Sequence, residues 1–341
     1  MKRSLTILGL VLALLVVGYV AGPRPSEPLP DGKILAVITD LNTLDADIAR
    51  YEAGFKLRPD NQARVVWADS GKKQKTPYSI VYIHGYTASW AEGSPVNLNL
   101  AKEFGANMYL ARTEGHGLDS PDAMIDLTPA NYLESGERAL AIGKTLGEKV
   151  IMIGTSMGGM MTLYLASRHP EIASIVLYSP CIELADSKGK LVTGPWGQQI
   201  LDQVYPDKHV YNKKENAERS KYWYETFHTN GIITLQTILD NYATAETFAK
   251  VKQPTFLGYY YKNDAHQDPT VSVAALLKMY DELGTSADEK RKEAFPDAGA
   301  HVIASDLTTE DWPVVQAATS TFLREVIGMK PTTPTVALLK K

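Results

Sequence analysis

Charge of one sign, cysteine and internal repetition are all scarce in this chain, and each shortage removes a class of function. The 341 residues carry 35 Lys+Arg against 39 Asp+Glu, a formal net charge of -4. A protein that grips nucleic acid by neutralising backbone phosphates needs a basic excess, so that partner is excluded. The single cysteine, Cys181, can form neither an intrachain disulfide nor a multi-cysteine metal site. As a lone thiol it reads as a small buried side chain. What is present is 44% hydrophobic and 22% charged, an ordinary globular balance in a chain long enough for one large core plus an insertion.

Long apolar runs are also few. One, Leu5 to Ala21, follows Lys2 and Arg3. At about 1.5 Å per residue it reaches roughly 25 Å, the short limit for a membrane span. Good cleavage chemistry is missing: a cut after Gly22 puts Pro23 behind the scissile bond, and a cut after Ala21 puts Tyr19 at the upstream specificity position. Residues 1–22 therefore read as a membrane anchor in preference to a cleaved signal. The positive end would stay cytoplasmic, placing the remainder on the far side of a cell-envelope membrane, or outside the cell if the segment were removed. No cysteine near the end of the run offers a lipid attachment point. Residues 23–31, with four prolines between Pro23 and Pro30, read as a stiff extended spacer.

From there short apolar runs alternate with helical spacing. Strands are expected over 63–68, 79–83, 107–111, 149–153, 174–178 and 255–261, and helices over 129–146, 156–169, 271–283 and 310–326. Nearly unbroken apolar strands between longer helices imply an α/β fold, a mostly parallel sheet covered on both faces. Residues 184–250 interrupt the alternation. They hold nine aromatics, Trp196 to Phe248, and read as a mostly helical inserted lid dividing a core of 32–183 and 251–328, with a tail at 329–341.

Gly154-Thr155-Ser156-Met157-Gly158 directly follows one expected strand and opens a helix. A sharp strand-to-helix turn needs small neighbours, lifts the serine oxygen clear of the sheet and aims the first free helix N–H groups at the reaction site. Ser156 is the candidate nucleophile. The Met157 N–H is one candidate oxyanion donor, and the Tyr86 N–H, after the His84-Gly85 pair, is the other. Of the seven histidines, His84 and His116 precede the serine, with His84 reading as a loop-holding residue, His169 ends its helix, His209 and His228 fall in the insertion, and His266 follows the last long strand too closely. His301, in a small-residue loop before the final helix, is the candidate base. Asp268, three residues before an apolar residue opening a helix, is the preferred orienting acid, and Asp264 is the alternative.

These motifs together resemble those of α/β-hydrolase-fold serine hydrolases, closest to the monoacylglycerol lipase and carboxylesterase branch with a helical lid. His84-Gly85-Tyr86 is similar to that branch's oxyanion loop, Glu114-Gly115-His116-Gly117-Leu118-Asp119-Ser120 to its Gly-His-Gly loop, Gly154–Gly158 to its nucleophile elbow and His301 to its terminal histidine. The similarity covers about residues 63–327. Two departures stand out: the acid loop Lys262–Asp268 is longer than usual, and Asp31–Asn61 precedes the usual start without an assigned role.

The resemblance implies hydrolysis of small-molecule carboxylic esters through an acyl-enzyme, with neither cofactor nor metal. An acyltransferase or amidase on the same residues is the alternative, because water and other nucleophiles compete at one acyl-enzyme. A binding protein that keeps the fold is a third reading.

Overall fold

A computed structural model describes residues 2–31, 40–213 and 216–332. Most of the expected tail, residues 32–39 of the unassigned leader and two residues of the insertion lie outside the described residues. Seven strands form the main sheet: β1 (Arg64–Val66), β2 (Thr76–Ile83), β3 (Asn107–Leu110), β4 (Gly147–Thr155), β5 (Ser174–Tyr178), β6 (Thr255–Tyr259) and β7 (Lys290–Ala294). Their order is β1-β3-β2-β4-β5-β6-β7. All neighbours are parallel except β1, which runs antiparallel to β3.

The strand pleat divides the core in two. Ile80, Tyr82, Ile151 and Ile153 face one side, packing with α3 (Val96–Phe104) and α11 (Trp312–Glu325). Val81, Ile83, Val150 and Met152 face the other, packing with α4 (Pro129–Leu146), α5 (Met157–Arg168) and α10 (Val273–Glu282). Apolar residues on both faces of β2 and β4 are what a covered parallel sheet requires. Local chemistry sets the helix ends. Thr128 and Asn131 form a reciprocal capping box ahead of α4, with Pro129 at its first position.

The fold is that of the α/β hydrolases, as expected. Differences lie at its margins. Strand β7, Lys-Arg-Lys-Glu-Ala, was not expected; it is an edge strand whose charges face solvent and discourage pairing with another chain. The unassigned leader contributes α2 (Leu44–Glu52), which seats Leu44 and Ile48 in the core. Its last residue, Glu52, forms a buried ion pair with Arg112 (Nε–Oε2 2.7 Å). Arg112 in turn donates to the His116 carbonyl at 3.2 Å. The leader thus buttresses the Gly-His-Gly loop.

The segment 184–250 is less helical than expected. Besides α6 (Gly197–Val204), α7 (Ala217–Tyr222), α8 (Asn230–Tyr242) and α9 (Ala245–Lys250), it carries a two-stranded antiparallel sheet pairing His209–Tyr211 with Thr226–His228.

The membrane expectation is overturned. The run forms helix α1 (Lys2–Val20), but no helix among the described residues is long and apolar enough to cross a membrane. The run was marginal from the start: roughly 25 Å of uncharged helix only reaches the short limit of a span, and two charged residues open the helix. The cell-envelope placement that followed from an anchor falls with it. The proline-rich segment 23–31 forms neither helix nor strand and is tied to the rest of the chain by backbone hydrogen bonds. Trp196 N–H donates to the Pro23 carbonyl at 2.7 Å, and Ala130 N–H to the Pro28 carbonyl at 3.1 Å.

Candidate active site

Ser156 sits between β4 and α5 with φ 53° and ψ -118°, a backbone conformation costly for any residue with a Cβ. Its neighbours hold it there. Ser156 N–H donates to the Tyr178 carbonyl at 2.9 Å, and its own carbonyl accepts from Cys181 N–H at 2.9 Å. A side chain at Gly158 would run into the backbone of Ile83 and His84, so the turn closes only with glycine there. Met157 opens α5, and its N–H is among the helix's first free donors.

His301 Nδ1 lies 2.7 Å from Asp268 Oδ2. The other carboxylate oxygen of Asp268 accepts the N–H groups of Thr270 (2.8 Å) and Val271 (3.1 Å), which fixes the carboxylate plane. Its side chain is fully buried. Asp264 is placed elsewhere. The long acid loop folds into a small hairpin, Tyr261–Asn263 against His266–Gln267, and Asp264 sits exposed at its tip, accepting from the Tyr261 hydroxyl at 2.9 Å. The hairpin accounts for the loop's extra length and returns the chain so that Asp268 faces His301. His301 Nε2 is buried without a hydrogen-bond partner among the described residues. It shares with Ser156 a cavity of about 310 Å³ whose wall also includes Tyr86, Met157, Cys181 and, from the insertion, Trp223 and Phe227.

The loop carrying Tyr86 is held by two neutral histidines. His84 Nδ1–H donates to the Gly85 carbonyl at 2.9 Å, while Nε2 accepts from Thr113 N–H at 3.2 Å. Burial lowers its pKa to about 4. His116 Nε2 accepts from Thr87 N–H at 3.2 Å, and its Nδ1 lies 2.8 Å from the Glu114 carbonyl. Burial holds His116 well below the usual imidazole range, and the nearby His84 adds to this. Thr87 has φ 64°, strained for a β-branched residue, and its carbonyl accepts from Tyr224 N–H of the insertion at 2.8 Å. His116 therefore positions the Tyr86–Thr87 loop as well as its own. Cys181 is buried and free beside Ser156, and burial pushes its thiol up to about 12. No cluster among the described residues could hold a metal ion.

Two wall residues escaped the sequence reading. Glu92, in a short turn at Trp90–Gly93, is 2% exposed and reaches the cavity, as does Arg219 of α7. A glutamate flanked by Gly, Ser and Pro carries no local sign of burial.

Residues 74–298 match a hydrolase family model described as serine aminopeptidase, S33. A thermostable monoacylglycerol lipase of Bacillus sp. (strain H-257) is 28% identical over 175 residues, 51% of this chain and 65% of the relative; the match thus spans just under two thirds of that relative's length. Among solved structures, one reported for the metagenome-derived lipolytic enzymes LipS and LipT superposes with a TM-score of 0.61 at 19% identity, covering 79% of this chain and 99% of the other. The monoacylglycerol lipase of Paleococcus ferrophilus superposes with a TM-score of 0.54 at 14% identity, covering 79% and 98%. At these identities the structural likeness shows the fold.

Proposed function

The chain belongs to the serine aminopeptidase S33 family of hydrolases, and we propose that it cleaves carboxylic esters of small molecules through an acyl-enzyme on Ser156, with His301 as base and Asp268 as its orienting acid. One observation carries the reading: a serine in a strained strand-to-helix turn and a histidine already paired with a buried aspartate open onto one cavity. The lipase and esterase names among its relatives favour esters as the substrate class.

In this mechanism His301 Nε2 takes the Ser156 proton as the oxygen attacks the acyl carbonyl. The Met157 and Tyr86 N–H groups bind the oxyanion. Asp268 fixes the Nδ1–H tautomer and stabilises the imidazolium, which then protonates the leaving alcohol. Water repeats the attack and frees the acid. Insertion 184–250 acts as a lid: Trp223 and Phe227 give the acyl group an apolar wall, so the cavity favours acyl groups that fit about 310 Å³.

The test is a p-nitrophenyl ester series from acetyl to palmitoyl, with Ser156→Ala alongside. Turnover that peaks at short or medium chains and vanishes in the variant supports the reading. Turnover that survives in the variant overturns it.

A further inference from the structure

A buried carboxyl beside a site that must stabilise an oxyanion is a costly choice unless it does something there. Glu92 is 2% exposed, and Tyr82 and Thr155 are fully buried. Gly85 N–H donates to Glu92 Oε2. The Tyr82 hydroxyl donates to the same oxygen at 3.4 Å and lies 3.0 Å from Thr155 Oγ1, which can donate to it in turn. The bonds form one chain from Thr155 through Tyr82 and Glu92 to Gly85. Thr155 immediately precedes Ser156, and Gly85 immediately precedes Tyr86. The other Glu92 oxygen and Ser156 Cβ each come within 2.8 Å of where a side chain at Gly85 would start. The oxyanion loop is therefore clasped between the carboxyl and the nucleophile.

We infer that Glu92 is a positioning residue that braces the oxyanion loop against the nucleophile strand and so sets the spacing of the Tyr86 and Met157 N–H groups. The inference rests on the proposed role of Ser156 and adds a residue to it. Such donors work only when aimed beforehand at the position the oxyanion will occupy. The protonation state matters as well. Burial pushes the Glu92 carboxyl up to about 8, while the Gly85 N–H, the Tyr82 hydroxyl and the charge of Arg219 pull it down. The titratable groups facing it are Tyr82 of β2, Tyr132 of α4, Arg219 of α7 and, on the same cavity wall, His301 and Cys181. The neutral acid suits the chemistry. An ionised Glu92 would set a negative charge beside the one forming on the substrate, so activity falls as pH rises through the Glu92 titration.

The experiment compares wild type, Glu92→Gln and Glu92→Ala between about pH 6 and about pH 10. It reads kcat and KM on a p-nitrophenyl ester, Ser156 labelling by a fluorophosphonate, and melting curves. Wild type is expected to lose kcat with a midpoint near pH 8, the Glu92 value. Glu92→Gln keeps the acceptor for Gly85 and Tyr82 and mimics the neutral acid, so it recovers most of kcat and loses that alkaline limb. Glu92→Ala loses about ten- to a hundredfold in kcat with little change in KM. Full kcat in Glu92→Ala, or an unchanged alkaline limb in Glu92→Gln, overturns the inference while Ser156 labelling leaves the nucleophile reading standing. A folded wild type that neither labels nor turns over overturns both. If Glu92→Ala does not fold, the pH profile of Glu92→Gln decides alone.

Discussion

His301 Nδ1 and Asp268 Oδ2 stand 2.7 Å apart across 33 residues of sequence, with the second Asp268 oxygen already committed to two backbone N–H groups. An aspartate held this way cannot rotate to serve another partner. Asp268→Asn is expected to lower kcat by roughly 10⁴-fold, because an amide facing Nδ1 selects the wrong tautomer. Asp264→Asn, at an exposed hairpin tip, should stay within about twofold. Steady-state kinetics of the two variants on one ester check the assignment; equal losses would contradict it.

The strain at Ser156 gives a second expectation. Glycine accepts positive φ without penalty, whereas alanine keeps the clash. Ser156→Gly should therefore be more stable than Ser156→Ala by about 1 kcal/mol, after part of the relieved strain is offset by glycine's larger unfolded-state entropy. Both variants should be inactive. Urea melts of the pair measure the difference directly.

The two buried loop histidines make stability depend on pH. Their folded-state pKa values are depressed, His84 to about 4 and His116 well below its usual value. Between about pH 6.5 and about pH 5 the unfolded chain binds these two protons and the native state does not. Stability is therefore lost as pH falls through this window, at up to about 2.7 kcal/mol per pH unit for two protons. His169, raised by its bond to Glu137, acts above this window: it contributes stability below about pH 6.5 that is lost as pH rises through its folded-state value. Urea midpoints measured across the lower window should fall steadily toward acid; a flat profile would contradict the neutral, bond-accepting state of both rings.

Glu52 and Arg112 form an ion pair whose side chains are 6% and 1% exposed. Removing one partner strands the other charge in the core. Glu52→Ala is expected to cost about 3–5 kcal/mol, and replacing both residues by apolar ones of similar volume should recover most of it. A double-mutant cycle by chemical denaturation provides the check.

These cases also show what sequence alone could convey. The alternation of β4, elbow and α5 was legible because its chemistry is local: an apolar run, a Gly-x-Ser-x-Gly turn and helical spacing fall within twenty-odd consecutive residues. Strand β7 was not, since an edge strand rich in lysine and arginine carries no apolar pattern and is defined by pairing with β6. The role of α2 was hidden in a contact between residues 60 positions apart. The hairpin that separates Asp264 from Asp268 is two short strands with no alternation to announce them. Glu92 is buried and bonded to Tyr82 and Gly85, which its own flanking residues do not announce. The apolar N-terminal run misled because its composition resembles a membrane span while its length only reaches the lower limit of one.

The proposed mechanism requires that Ser156 become acylated. Rapid mixing with p-nitrophenyl acetate, acid quenching and mass spectrometry of the peptide carrying residue 156 would reveal the adduct. The expected result is an acetyl adduct on Ser156 that forms with the release of p-nitrophenol, decays with turnover and is absent in Ser156→Ala. Turnover with no adduct on Ser156, or an adduct on another residue, would contradict it.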